Sequence, residues 1–176
     1  SGAGSLDAEA VRAQLQRVLA SESLSSFQAD GVDIAVRQGR PPFGAGLVVD
    51  LLFAQQIIAV CSPALLPHGA NEIAAAEIQH HVLLHDAHNL WPEFMEKAVG
   101  LKMTTELKRM RFNQTSLAID AAIAGQGIAL ASRFLVAADL AAGRLVQPVS
   151  GEMRGTQDFH VVVPRKQRHP EPTQAV

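Results

Sequence analysis

The chain has 176 residues, 48% of them hydrophobic, with 15 basic and 17 acidic side chains and a formal charge of −2. That composition supplies a buried core and excludes a disordered chain, and the balanced charge lacks the basic excess that holds nucleic-acid phosphates, so the chain as given is not expected to bind DNA strongly. The single cysteine, Cys61, excludes an internal disulfide, and no apolar run reaches the ~18 residues that span a bilayer. A reducing cytoplasm is the simplest home. Residues 1–5, SGAGS, carry neither an initiator methionine nor a charged and apolar leader, and read as a scar or linker on a fragment.

In chain order, 7–19 (DAEAVRAQLQRVL) mixes helical spacing with a strand over 16–20. Ser23 or Ser25 caps a short helix through Ala29 that stops at Gly31, and 32–37 reads as a buried strand. The loop PPFGAG (41–46) precedes LVVDLLFAQQIIAV (47–60), whose valines and isoleucines predict extended structure. A turn starts at Cys61-Ser62-Pro63, a helix covers 71–79 and a strand covers 81–84. A helix over 92–99 stops at Gly100, and a strand covers 107–112. Residues 111–148 then alternate strand, loop, helix, strand, helix, strand, with Gly125 and Gly143 as helix stops and Ser132 as a helix start. The stretch 150–157 is a loop, and FHVVVP (159–164) is a last buried strand before a polar tail.

Two distant segments share one pattern: FQADGVDIAV (27–36) and AAIAGQGIAL (121–130) each read as a helical run, a glycine stop and a short apolar strand. That is the grammar of a parallel α/β sheet, and its recurrence predicts two similar lobes with ligand bound where lobes and strand ends meet.

The run VDIAVRQGR, then CSPALL, LLHD with Trp91, SLAIDAAIAGQGIALASRFLVAADLAAGRLVQP and VVVP resembles the effector-binding domain of LysR-type transcriptional regulators, in the glycine-cleavage activator-like branch. The resemblance implies an α/β fold of two Rossmann-like lobes with a hinge, similar to type 2 periplasmic binding proteins. The lobes would be 1–59 plus 163–176 and 60–162. It also implies a small molecule held between the lobes, no cofactor, and a homodimer or homotetramer in the full-length protein, which reaches DNA through an N-terminal helix-turn-helix domain absent from this chain. No match is found before residue 7 for the family's first strand, nor after PEPTQAV for its last helix.

For ligand binding, the strongest candidates are Asn113, Thr115 and Ser116, in the Asn-Gln-Thr-Ser turn before a helix starting near Leu117. Backbone N–H groups at a helix start, helped by hydroxyls, hold a carboxylate or phosphate oxygen; simple capping is the structural alternative. Arg37, at the end of its strand, is placed to pair a ligand carboxylate, or else to form a surface ion pair. Gln38 and Gly39 would line the same rim, and the resemblance puts Ser21 where the family presents a hydroxyl. His80, His81, His85 and His88 with Asp86 do not make a metal site, since on a strand His81 and His85 stand about 13 Å apart; they read as surface residues, or as loop contacts to a ligand. Cys61 reads as buried and inert, and no catalytic signature appears. The sequence therefore points to a cytoplasmic sensor of a small anionic or zwitterionic metabolite. The alternatives are a solute-binding protein of the same fold without a DNA role and an enzyme grafted on the scaffold.

Overall fold

The computed structural model describes residues 27–29, 32–104 and 108–164. The expectations for 7–20, the capping serines, Ser21, Gly31 and the tail after 164 lie outside these residues. The chain divides into two compact units, Ser1–Ala54 with Thr156–Val176, and Gln55–Gly155. The crossings thus fall a few residues before the expected boundaries at 59/60 and 162/163. The reason is hydrogen bonding. Strand Gln56–Val60 pairs wholly within the second unit, and strand Phe159–Pro164 wholly within the first. At the crossing, Gly155 N–H donates to the Gln55 carbonyl (2.8 Å) and the Gln55 amide to Ser132 Oγ (3.1 Å).

In the first unit, β1 (Phe27–Ala29), β2 (Val32–Gln38), β3 (Leu47–Phe53) and β9 (Phe159–Pro164) form a sheet of order β1-β2-β9-β3. Every pairing in it is antiparallel. The helix expected through Ala29 is instead β1, in register Ala29 opposite Val32, so only residues 30 and 31 connect the two strands. An Asp-Gly pair is a two-residue hairpin connection as readily as a helix stop. The 27–36 half of the repeat is therefore a hairpin, and only the 121–130 half is helix, glycine and strand.

The second unit holds β4 (Gln56–Val60), β5 (Leu83–His85), β6 (Arg109–Arg111), β7 (Ile128–Ser132) and β8 (Glu152–Arg154), ordered β6-β5-β7-β4-β8. Strands β6, β5 and β7 run parallel; β4 and β8 are antiparallel additions. Strand β8 lies in the stretch expected to be loop. Its sequence, Glu-Met-Arg, carries no apolar run, and only pairing with β4 and the burial of Met153 make it a strand. The helices are α1 (Trp91–Phe94), which widens into a π-helical turn over Met95–Val99, α2 (Thr115–Ile123) and α3 (Arg133–Ala141). The helix expected over 71–79 is a 3₁₀ segment, Ala75–His80, with no side-chain cap at Ala74.

The core divides by strand alternation. Ile57, Ala59, Leu83, Ile128 and Leu130 face Trp91, Phe94 and Met95. Ile58, Val60, Leu84, Ala129 and Ala131 face Ala118, Ala121 and Ala122 of α2 and Val136 of α3. Alanines on both sides of the second layer let α2 lie close to the sheet. Helix α2 ends in a Schellman motif: Gln126 N–H donates to Ala121 O (3.0 Å), Gly125 N–H to Ala122 O (3.0 Å), and Gly125 has φ 78°. Helix α3 ends the same way at Gly143, φ 75°.

Gly125 and Gly127 are glycines for different reasons. At Gly125 a Cβ meets open space and only the left-handed backbone requires glycine, whereas at Gly127 a Cβ would run into the carbonyl oxygen of Val82 and lie 3.1 Å from Leu84 Cγ. Gly127→Ala is therefore expected to cost about 2–3 kcal/mol, through displacement of β7 from β5, and Gly125→Ala about 1 kcal/mol. Urea unfolding midpoints of the two variants check that order.

Candidate functional site

Parallel strands bring their carboxyl ends to one edge of a sheet, where α/β folds bind ligands. In the second unit that edge collects the end of β5 at His85, the end of β6 at Arg111, and the start of α2 at Thr115. Phe112 N–H donates to the His85 carbonyl (2.8 Å), fixing the two strand ends together. The turn after β5 then closes on α2. Asp86 Oδ1 accepts from His88 N–H (2.9 Å), and Oδ2 accepts from the Thr115 hydroxyl (2.8 Å). Gln114, the residue before α2, makes no side-chain capping bond. The helix start thus takes its anionic partner from Asp86, as the positive end of the helix dipole favours.

Behind this turn lies His85, 1% exposed. Its Nδ1 is 3.1 Å from Asn89 Oδ1, and Asn89 holds φ 50° to reach it. Burial pushes the imidazole below its usual 6.5; the Asn89 bond opposes that, Arg109 and Arg111 add to it, and Asp86 opposes it. The Trp91 indole N–H donates to the Leu84 carbonyl (2.9 Å), which seats the start of α1 against β5.

Of the expected ligand residues, Thr115 is half-buried while Asn113 and Ser116 are exposed, and all three share the α2 start. Arg37, Gln38 and Gly39 belong to the first unit. Arg37 is exposed, opposite His160 in the β2–β9 register, and joins no ion pair among the described residues. Gln38 lies opposite Phe159, and Gly39 N–H donates to the Asp158 carbonyl (3.1 Å). Ser21 lies outside the described residues. His80 and His88 are exposed, but His85 corrects the expectation of a surface histidine. Asp86 is the site residue to which sequence reasoning gave no partner: its contact with Thr115 joins positions 29 apart. Cys61 is buried, and burial pushes its thiol up to about 11.

Residues 7–176 match the family model described as LysR substrate binding domain. The chain is 32% identical over 146 residues to the Glycine cleavage system transcriptional activator of Escherichia coli K12, covering 83% of this chain and 48% of that protein. It is 33% identical over 121 residues to the HTH-type transcriptional regulator TrpI of Pseudomonas aeruginosa, covering 67% and 41%. The chain spans about half the length of the curated relatives it matches. Among solved structures, the effector domain of the transcriptional regulator AmpR of Pseudomonas aeruginosa aligns with TM-score 0.60 at 24% identity, over 78% of this chain and 65% of that one. The regulatory domain of CrgA from Neisseria meningitidis aligns with TM-score 0.55 at 21% identity, over 74% and 64%. These likenesses show an α/β fold of the type 2 periplasmic-binding-protein-like kind.

Thr115→Val removes the hydroxyl from Asp86 while keeping the side chain's shape, and is expected to cost about 1 kcal/mol in urea unfolding. Asp86→Asn should cost less than Asp86→Ala, because the amide oxygen still accepts. At pH 8 only about one Cys61 thiol in a thousand is ionised when its pKa is about 11, so iodoacetamide should label the native chain far more slowly than the urea-unfolded one.

Proposed function

The chain belongs to the LysR substrate-binding domain family, and from that membership we propose that it senses a small anionic or zwitterionic metabolite for a cytoplasmic, DNA-binding transcriptional regulator. The helix-turn-helix would be carried outside this chain, and the full-length protein would act as a homodimer or homotetramer. The observation that carries the ligand class is the start of α2, where the Thr115 hydroxyl binds the Asp86 carboxylate at 2.8 Å and no side chain of Gln114 caps the helix. Donors arranged to hold one carboxylate suit another. On this reading Asn113, Thr115 and Ser116 receive the acidic group of the effector, in competition with Asp86. Arg37, Gln38 and Gly39 contribute from the first unit, as does Ser21; their pairing with α2 on one ligand comes from the family resemblance alone.

A ligand shifts a regulator only by binding its states unequally. Competition with Asp86 supplies such a difference, since the 86–90 turn has one set of contacts with Asp86 on Thr115 and another without it. The reading is of a sensor and not an enzyme, and the one thiol is buried and protonated. Among the described residues no helix is long and apolar enough to cross a membrane.

Thermal melts of the chain with amino acids, small carboxylates and aromatic acids test the proposal. One class should raise the midpoint, by the equivalent of about 2.7 kcal/mol at a hundredfold excess over Kd, and the double variant Arg37→Ala, Thr115→Val should lose most of that rise. A cooperative melt that no compound moves would sink the sensor reading, and turnover of any compound would favour an enzyme.

A further inference from the structure

His85 is almost wholly buried, and its two ring nitrogens have different surroundings. With the amide oxygen of Asn89 facing the ring at 3.1 Å, Nδ1 carries the hydrogen, which leaves Nε2 of the neutral ring a bare acceptor. Nε2 is buried and has no hydrogen-bond partner among the described residues. A second proton would have to sit on that nitrogen, with no acceptor facing it. Strand β6, paired in parallel with Leu83 opposite Arg109 and His85 opposite Arg111, brings two guanidiniums whose charge opposes a cation there. The one carboxylate acting on the ring, Asp86, is already bonded to Thr115 and to His88 N–H. On the α1 side stands the Trp91 ring, its centroid 6.5 Å away. Strand β7 carries no ionisable side chain, and α2, packed on the opposite sheet face through Leu84, carries only Asp120, which is exposed.

The geometry points to a proton-operated latch: the neutral His85 ring holds Asn89, and with it the 86–90 turn, and uptake of a second proton releases that turn while the sheet stays folded. An imidazolium with an unpaired Nε2–H must reach water. Water lies beyond the turn, where Ala87, His88 and Asn89 are exposed, whereas β5 and β7 are buried along their lengths. Asn89 sits at φ 50°, a conformation that asparagine tolerates better than most residues but that gains when a side-chain bond holds it. Among the described residues, two side-chain bonds tie the turn to the rest of the unit, Asn89 to His85 and Asp86 to Thr115. Loss of the first leaves the second to hold it alone.

The direction of the proton equilibrium agrees. Burial chiefly, then Arg109 and Arg111, hold the folded ring below the ordinary 6.5. The latch is therefore fully closed above that pH and opens as the pH falls below it. It requires no effector and so stands apart from the sensor proposal.

Trp91 is the chain's only tryptophan and its ring lies beside His85, so its fluorescence reports the ring directly. In the apo chain we expect a one-proton change in Trp91 emission with a midpoint below 6.5, at unchanged far-UV circular dichroism, and its loss in His85→Gln. Asn89→Ala should keep the Trp91 change but abolish the accompanying NMR shifts of the His88 and Thr115 amides. The same emission change in His85→Gln, or none until circular dichroism is lost, would overturn the latch. Should His85→Gln fail to fold, amide shifts in Asn89→Ala identical to those of the parent chain would overturn it equally.

Discussion

Strand β7 has no exposed residue: Ile128 through Ser132 are all buried, so both of its faces and both of its edges must be covered. Most of the second unit follows from that requirement. Its edges take β5 in parallel and β4 in antiparallel pairing, and its large residues and its alanines separate onto opposite faces. The alanine face admits α2 at close range, and the Ile128 and Leu130 face takes the bulk of Trp91 and Phe94. Because α2 must begin beside the ends of β5 and β6 to lie along β7, Thr115 arrives next to the turn that follows His85. The candidate site is thus a by-product of covering one strand on both sides.

How much of this the sequence discloses depends on whether a local signal has one structural meaning or two. Ala-Gly-Gln-Gly before Ile128 has one: a long helical run, a left-handed glycine, then an apolar strand, and α2, Gly125 and β7 follow it closely. Asp-Gly after Phe27 has two, and the pairing of β2 with a strand from the far end of the chain decides for the hairpin. Strand β8 has almost no signal of its own, because two of its three residues face solvent and β4 supplies its order. The site divides in the same way. Thr115 and Ser116 are legible as a helix start, since that depends on neighbours in sequence. The Asp86 carboxylate across from Thr115 is not, because it arrives through a parallel strand pairing. His85 sits in a polar-looking stretch, Leu-His-Asp-Ala-His-Asn, yet is buried on β5 between β6 and β7 with Trp91 beside it.

Family membership settles the class of module, and a fold shared by many sensors leaves the choice of ligand to individual side chains. Around the start of α2 the described groups include the hydroxyls of Thr115 and Ser116, the amides of Asn113 and Gln114 and the Asp86 carboxylate, beside the exposed Met110 and Leu117.

The first unit carries a consequence for the order in which this chain folds. Strands β2 and β3 do not pair with each other; each pairs with β9, which lies between them and enters the sheet only after the whole second unit has been made. On a ribosome, the continuous segment Gln55–Gly155 has its described strand partners in hand while β3, among the described residues, still has none. The second unit can therefore complete itself first, whereas β3, with Val48 and Leu51 apolar and outward-facing even in the finished sheet, must wait as an unpaired strand for the last stretch of synthesis. Expression conditions that slow translation beyond residue 155 would lengthen that wait, and with it the chance that β3 pairs with a neighbouring chain instead.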